Sequence, residues 1–234
     1  MTPVLPMALA SLPLLERRTL GESAYAHLRD LLASGRVAPG EKLSLRDLSE
    51  ALGVSVMPVR EAVSRLIADG ALEVAPNRAV RVPVMTGAQF RELAAVRAGI
   101  EGWAAELAAQ ARSAAQLAAI TAAEAAMRGA EHAPDLGHAV QLNRDFHFAI
   151  YDAAGLPTLV DVIGGLWLKA GPVINLDLRH SRDRLSSGHA LRCHAAALAA
   201  IRAGDGPAAR RAIAEDITRA ADFIIDKGGL PTEE

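Results

Sequence analysis

Apolar residues recur at helical spacing through most of the chain, and glycines and prolines divide the first third into short elements. From Gly21 onward this spacing predicts three helices, which end at Gly35, Gly53 and Gly70. A Pro-Gly pair predicts a turn between the first two helices. Two β-branched runs then flank Pro76-Asn77-Arg78, a pattern typical of a hairpin.

The order helix, helix, turn, helix, hairpin predicts a winged helix-turn-helix, whose recognition helix enters the major groove of DNA. In that helix Val59, Val63, Leu66 and Ile67 recur at core spacing. The remaining positions are then left for the outer face. The residues that we expect at DNA are Arg46, Ser55, Met57, Arg60, Arg65 and Arg78.

After Met85 the pattern becomes continuously helical and rich in alanine and leucine. Six helices with short connections predict an antiparallel bundle. The fold class is therefore mainly α, a winged helix-turn-helix followed by a six-helix bundle. The expected divisions are a disordered tail at 1–19, a DNA-binding domain at 20–84 and a helical domain at 85–230.

Composition restricts the class of protein further. The 234 residues are enough for two domains, and they contain no uncharged apolar run of about 18 residues that would predict a membrane span. The single Cys193 excludes an internal disulfide framework and suits a reducing cytoplasm. A net charge of −2 does not by itself indicate a nucleic-acid-binding protein. DNA binding thus depends on where the arginines lie, and an ordinary solvated face is the alternative.

The stretch GEKLSLRDLSEALGVSVMPVREAVSRLIADGALE resembles the DNA-binding domain of GntR-type bacterial transcription regulators. The resemblance implies DNA-contacting positions for Arg46, Arg60 and Arg65. Val56 and Met57 stand where that family usually has an arginine and a small polar residue. This departure implies a different operator preference, which could include apolar contact with thymine methyl groups. The wing tip usually carries glycine, and here it reads Asn77-Arg78-Ala79.

A group of nitrogen and oxygen donors is expected inside the bundle. Asn143 and His147 are four residues apart and share a helix face. His194 and Asp216 are equidistant from Asp205, the centre of the turn between the last two helices, so an antiparallel hairpin brings them level. Such donors suit Zn²⁺, Mn²⁺, Ni²⁺ or Fe²⁺. A hydrogen-bonded histidine in an apolar core is the alternative.

The helical part is similar to the FCD domain that commonly follows this DNA-binding type, in its shorter VanR-like form. The residues that carry the resemblance are Arg97 with Glu101, Asn143 with Phe146 and His147, and His194 with Leu198 and Ile201. The resemblance implies a divalent metal held by Asn143, His147, His194 and Asp216. That family usually has histidine where Asp216 stands. Arg97 is expected to pair with Glu101 or to meet an anionic effector.

Together these observations predict a cytoplasmic transcription regulator and not an enzyme. It would bind a palindromic operator as a homodimer and sense a small carboxylate through a metal-containing bundle. One alternative is a metal-dependent enzyme, although no general acid or base lies beside the expected ligands. Another is a regulator whose bundle holds no metal and senses a different effector. The sequence does not identify the effector, the operator, the metal or the direction of regulation.

Overall fold

The structure is a computed structural model that describes residues 19–129, 136–180, 188–227 and 230–231. Within these residues it is mainly helical. The predicted tail at 1–19 lies outside the described residues except for Thr19. The elements of the N-terminal part, which we call the head, are α1 (Leu20–Ala33), β1 (Lys42–Leu43), α2 (Leu45–Leu52), α3 (Val56–Ala68), β2 (Glu73–Val74) and β3 (Val80–Arg81).

The predicted order of the head is confirmed, and one strand is added to it. Strand β3 pairs antiparallel with β2, which forms the expected hairpin. It also pairs with β1, where Lys42 lies opposite Arg81 and Leu43 opposite Val80. The sequence analysis expected only a turn in this region. Two residues are too few to show a β alternation, so the strand is defined by its partner.

Local capping explains where the head helices begin and end. Thr19 and Glu22 form a reciprocal capping box at the start of α1. The Ser44 hydroxyl accepts a hydrogen bond from the Asp47 amide at the start of α2. Gly53 ends α2 in the left-handed conformation, which glycine adopts without steric cost. The predicted helix-turn-helix geometry thus rests on serine and glycine at the expected positions.

The bundle consists of six helices in the described part of the chain, as the pattern predicted. Helix α4 starts at a Thr86 capping box, and the Asp205 side chain accepts from the Ala208 amide at the start of the last helix. Alanine lines much of the core, which allows the first and last helices to pack along their length. The helices are α4 (Gly87–Ala111), α5 (Ala114–Arg128), α6 (Leu136–Ala153), α7 (Pro157–His180), α8 (His189–Ala203) and α9 (Gly206–Lys227).

The two parts of the described chain have separate apolar cores. In the bundle, Phe146, Ile150 and Trp167 are almost fully buried among the alanines. In the head, Val59 and Leu66 belong to a second cluster, which also includes Leu168 from α7. The head is therefore seated on helix α7. None of the helices in the described residues is long and apolar enough to cross a membrane.

Glycine at position 171 permits a close approach between the backbones of head and bundle. A Cβ atom there would lie 2.5 Å from the carbonyl oxygen of Leu32 and 2.8 Å from that of Ala33. Both are backbone atoms of α1 and cannot move without shifting the helix. By contrast, a Cβ on Gly165, in the same helix, would meet nothing within 4 Å.

Replacing Gly171 by alanine should therefore lower the free energy of unfolding by about 1–3 kcal/mol, the usual cost of overpacking. Gly165→Ala should instead raise it by about 0.5–1 kcal/mol, because alanine favours helix more than glycine does. Urea denaturation of both variants measures the difference. Equal stability of the two would show that the head does not lie against Gly171.

Candidate DNA-binding face and bundle metal site

Helix α3 presents one buried and one exposed side, as the spacing of its apolar residues predicted. Val59, Val63 and Leu66 are at most 3% exposed, while Ile67 is half-buried. On the other side Met57 is 60% exposed, and Arg60 is also exposed. Ser55 begins the helix without a side-chain capping bond, so its hydroxyl is not used by the local backbone. The start of α3 thus offers side chains to an external partner.

The wing and helix α2 add two more exposed arginines. Arg46 lies in the first turn of α2 and is exposed. Arg78 is exposed at the hairpin tip and has a φ of 62°, in the left-handed region that glycine usually occupies. The Asn77 side chain stabilises this turn by accepting a hydrogen bond from the Ala79 amide. The chain therefore has a cation at the wing tip where glycine would be easier to accommodate.

Arg65 lies in a different environment from Arg60. Its guanidinium carbon is 3.9 Å from the centre of the Tyr25 ring, and the Tyr25 hydroxyl donates to Asp69. Five helical residues correspond to about 140° of rotation, so Arg60 and Arg65 point in different directions. The grouping of Arg65 with the other outward residues of α3 overlooked this contact. Arg65 borders the cleft between head and bundle, and DNA contact by it remains a prediction.

Three of the four predicted metal ligands come together inside the bundle. His147 from α6, His194 from α8 and Asp216 from α9 are each at most 8% exposed. Oδ2 of Asp216 lies 3.2 Å from Nε2 of His147 and 3.5 Å from Nε2 of His194. One ligand atom from each residue lies within 4.8 Å of the other two. The group thus joins three helices at one point.

The hairpin of α8 and α9 explains why His194 and Asp216 meet. Gly204 ends α8 in the left-handed conformation, and α9 starts at Gly206 after the Asp205 cap. The chain therefore reverses with a very short connection, and residues equally far from Asp205 face one another. This is the arrangement that the spacing predicted.

The fourth predicted ligand, Asn143, lies one turn before His147 and is half-buried. It borders a cavity of about 60 Å³ together with His147 and Asp216. Arg97 and Trp167 border the same cavity. The remaining lining is mostly apolar. The cavity is therefore small, with its polar groups concentrated at the ligand cluster.

A second group of buried polar residues supports the cluster from the side of α4. Glu101 is fully buried and accepts from Nε and Nη2 of Arg97 at 2.6 and 3.2 Å. It also accepts from Trp167 Nε1 and from the Tyr151 hydroxyl. The Arg97 guanidinium stacks on Trp167, 4.6 Å from the ring centre. Of the two roles expected for Arg97, the structure contains the pair with Glu101, and the residue also borders the cavity.

The sequence analysis did not identify Tyr151 and Trp167 as part of the site. Tyr151 stands four residues after His147, on the same helix face, so the spacing rule applied to Asn143 could have found it. Trp167 gives no comparable signal, because a tryptophan in a bundle helix is usually a packing residue.

Tyr151 determines which ring nitrogen of His147 carries the proton. Its single hydroxyl proton goes to Glu101, so the hydroxyl accepts from Nδ1 of His147 at 2.8 Å. The neutral imidazole therefore carries its proton on Nδ1, and the lone pair of Nε2 is directed at the Asp216 carboxylate. Two acceptors face one another in this arrangement, and a cation between them would stabilise it.

His194 gives a second indication of the same kind. It is fully buried; within the described residues its Nδ1 has no hydrogen-bond partner, and its Nε2 makes no well-formed hydrogen bond to Asp216, which lies 3.5 Å away. Buried polar atoms are costly when they are left without a partner. Two imidazole nitrogens and a carboxylate oxygen are also a donor set that Zn²⁺ and related ions prefer. The residues present therefore fit a divalent metal.

The electrostatics of the cluster favour an anionic Asp216. Burial opposes its ionisation, but the two neighbouring histidines together outweigh burial and hold the pKa of the Asp216 carboxyl well below its usual range. Burial lowers the pKa of His147 despite the opposing effect of Asp216. Burial and the neighbouring Glu101 raise the pKa of Tyr151, which keeps its hydroxyl protonated. The cluster thus combines a carboxylate with a neutral imidazole at neutral pH.

Comparisons with known proteins agree with both parts of this description. The model of the gntR family of bacterial regulatory proteins matches residues 20–82, and that of the FCD domain matches residues 92–219. The HTH-type transcriptional regulator McbR of Escherichia coli K12 is 32% identical over 193 residues, which cover 80% of this chain and 85% of McbR. The HTH-type transcriptional repressor RspR of the same strain is 25% identical over 205 residues, which cover 88% of this chain and 89% of RspR.

A solved structure shows the same architecture. The structure of E. coli McbR/YncC gives a TM-score of 0.82 at 29% identity, covering 90% of this chain and 99% of that chain. These relatives are transcription regulators and not enzymes, so the bundle belongs to a regulator. The chain is a member of the GntR family of bacterial DNA-binding transcription regulators, with an FCD domain after its winged helix-turn-helix.

Proposed function

We propose that this regulator acts in the cytoplasm and binds a palindromic operator as a homodimer. A small carboxylate effector, held through a divalent metal in the bundle, would change its affinity for DNA. The observation that carries the proposal is the convergence of His147, His194 and Asp216 beside a small cavity, on the same chain as a DNA-binding head. A metal-free bundle would leave these buried acceptors directed at one another.

The exposed side chains of the head support the DNA-binding part of the proposal. Ser55, Met57 and Arg60 at the start of α3 would contact bases, because the N-terminal residues of a recognition helix reach furthest into the major groove. The exposed Arg46 and Arg78 would contact the backbone or the minor groove. Arg65 would reach DNA only if its contact with Tyr25 were given up. We therefore place it among the weaker candidates.

An exposed apolar surface supports the homodimer. Trp103 on α4 is 44% exposed, while Leu156 before α7 and Val162 within it are 41% and 48% exposed. Together they border an almost wholly apolar groove of about 440 Å³. Large exposed apolar patches commonly mark protein interfaces. A second copy bound here by twofold symmetry would present two heads, as a palindromic operator requires.

The bundle site would hold the metal through His147, His194 and Asp216, with Asn143 as a neutral fourth donor. A bound divalent cation would supply positive charge and open coordination positions for a carboxylate oxygen. Arg97 would contribute less charge than its type suggests, because Glu101 neutralises it. The small cavity volume favours a compact effector, and the apolar lining favours one with few polar groups besides its carboxylate.

Helix α6 offers a physical connection between the site and the head. Asn143 faces the cavity, while its half-buried neighbour Arg144 faces the head and forms a 3.2 Å ion pair with Asp30 of α1. A small rotation of α6 on effector binding would therefore move Arg144 and, through its ion pair with Asp30, helix α1 of the head. Binding can shift the arrangement of the heads only if the effector prefers one arrangement over the other.

Replacing Arg60 by alanine should weaken binding to an operator selected from random duplexes by about 1–3 kcal/mol, the range for a good base contact. The loss should concentrate at one base pair of each half-site, because a base contact carries sequence information whereas a phosphate contact does not. Fluorescence anisotropy with single-base operator variants measures both effects.

Arg211→Ala is the matched control, since Arg211 is an exposed arginine of the bundle. It should leave operator affinity unchanged. If Arg60→Ala also left affinity unchanged, Arg60 would not belong to the DNA interface. If the loss were uniform across all operator variants, Arg60 would be a phosphate contact.

A further inference from the structure

A second group of metal-ligating side chains lies on the same helix pair as the bundle site. His189 and Cys193 stand one turn apart on α8, and Glu215 comes from the facing helix α9. One ligand atom from each of the three lies within 4.8 Å of the other two. Cys193 is buried, His189 is half-buried and Glu215 is exposed. The group therefore has one sheltered ligand and two that solvent ions can reach.

The distance between the first two ligands matches tetrahedral metal geometry. Nε2 of His189 lies 3.5 Å from Sγ of Cys193. Zinc bonds of about 2.3 Å to sulfur and about 2.0–2.1 Å to nitrogen, at a tetrahedral angle, place the two ligand atoms about 3.6 Å apart. An ion could therefore bind both atoms without movement of helix α8. Glu215 has a flexible side chain and can adjust its carboxylate to the third position.

The second group is separate from the first although the two are adjacent in sequence. Cys193 precedes His194 and Glu215 precedes Asp216, and successive helical residues point about 100° apart. His194 and Asp216 face the core, while His189 and Glu215 reach the surface. The bundle site has only nitrogen and oxygen donors, whereas this group adds a thiol. The two would thus differ in metal preference, the second being softer.

Two arginines neighbour the group in the metal-free protein. Nε of Arg219 pairs with Glu215 at 3.0 Å, and Nη2 of Arg192 lies 3.4 Å from Nδ1 of His189. Arg219 and Glu215 are both at least half exposed, and exposed ion pairs of this kind are weak. A dication can therefore replace Arg219 at the carboxylate. Arg192 donates to Nδ1 in the metal-free protein, and this exposed side chain would turn to solvent when Nε2 binds the metal and Nδ1 takes the ring proton.

We propose that His189, Cys193 and Glu215 form a second metal site that binds a thiophilic dication such as Zn²⁺, with water completing the coordination. On binding, the thiol proton leaves to solvent and sulfur becomes a thiolate ligand. Because the site joins α8 to α9 next to His194 and Asp216, its occupation would stiffen the hairpin that carries half of the bundle site. The regulator would then respond to thiophilic metal as well as to its effector.

Titration of the full-length apoprotein with Co²⁺ under a non-chelating reductant tests this site. The expected spectrum contains a thiolate-to-cobalt charge-transfer band, because sulfur ligation produces one and nitrogen or oxygen ligation does not. Cys193→Ser should abolish the band, and Glu215→Gln, which keeps an oxygen but loses the charge of a ligand, should weaken the affinity that it reports by at least about 10-fold. His194→Ala, which removes a ligand of the bundle site, should retain the band.

Absence of the band in the wild-type protein would overturn the proposal, as would its persistence in Cys193→Ser. His189→Gln changes a half-buried side chain and should also abolish the band while the circular dichroism stays that of the wild type. A normal band in His189→Gln would exclude histidine ligation. If His194→Ala loses the metal of the bundle site but keeps the band, the two sites bind metal independently. The second site can then be judged separately from the proposed effector site.

Discussion

Replacing Glu101 by alanine should lower the free energy of unfolding by about 3–5 kcal/mol, the cost of removing one partner from a buried ion pair. The change leaves the Arg97 guanidinium, which is 4% exposed, without its carboxylate. It also removes the acceptor for the Tyr151 hydroxyl and for Trp167 Nε1. Arg97, Tyr151 and Trp167 would therefore all lose their shared hydrogen-bond acceptor. Urea denaturation followed by circular dichroism measures the loss.

Two controls separate the buried network from a general effect of charge removal. Glu106→Ala breaks an ion pair with Arg210 that is much more exposed, and it should change stability by about 1 kcal/mol or less. In the double variant Glu101→Leu with Arg97→Met, both charges are replaced by apolar side chains, and most of the stability should return. A loss below about 1 kcal/mol in Glu101→Ala would mean that water reaches Arg97.

The predictable part of the fold depended on short-range signals. Ser44, Gly53 and Thr86 begin or end helices through local hydrogen bonds and backbone conformation, so they mark helix boundaries within the apolar pattern. Symmetry about Asp205 placed His194 opposite Asp216, because a short hairpin leaves little freedom in register. These features depend on residues close in sequence or mirrored about one turn. For that reason a single sequence could carry them.

The features that escaped prediction depend on contacts between distant residues. Strand β1 exists only because β3 lies beside it, and the Arg65 guanidinium stacks on the ring of Tyr25, which belongs to another helix. Glu101 receives Tyr151 and Trp167 from two further helices. Local periodicity shows that such residues are buried or exposed. It does not show which of several distant partners they meet.

This difference bears on how the site is built. The candidate ligands His147, His194 and Asp216 stand on three helices, and local spacing or symmetry about one turn could indicate them. Their orientation is set by the unpredicted network, since Tyr151 assigns the proton of His147 and Glu101 holds Tyr151. Under the proposed function, the network would therefore orient the cluster for a cation before any cation binds. Residues that hydrogen-bond to metal ligands usually affect metal affinity almost as much as the ligands themselves do.

Replacing His194 by alanine should weaken Zn²⁺ binding in the bundle by more than about 100-fold. Loss of a residue that only hydrogen-bonds to a metal ligand already weakens binding by about 10–100-fold, and His194 would be a ligand itself. Tyr151→Phe removes only the hydroxyl that hydrogen-bonds to His147, so it should weaken Zn²⁺ binding by about 10–100-fold. Isothermal titration of chelator-treated protein measures both. The Cys193→Ser background is the reference for these variants, because it removes the thiol of the second group. The effector response should fall with the metal, while operator affinity without effector should persist.

His27→Ala is the matched control, since this exposed histidine of α1 is distant in the chain from the bundle and should not affect Zn²⁺ binding. The order of the three variants carries the argument. A cluster that binds metal requires the largest loss for His194, a smaller loss for Tyr151 and none for His27. If His194→Ala bound Zn²⁺ as tightly as its reference, His194 would be a packing residue. The proposal of a metal-dependent effector site would then be wrong, and only the proposed DNA binding would stand.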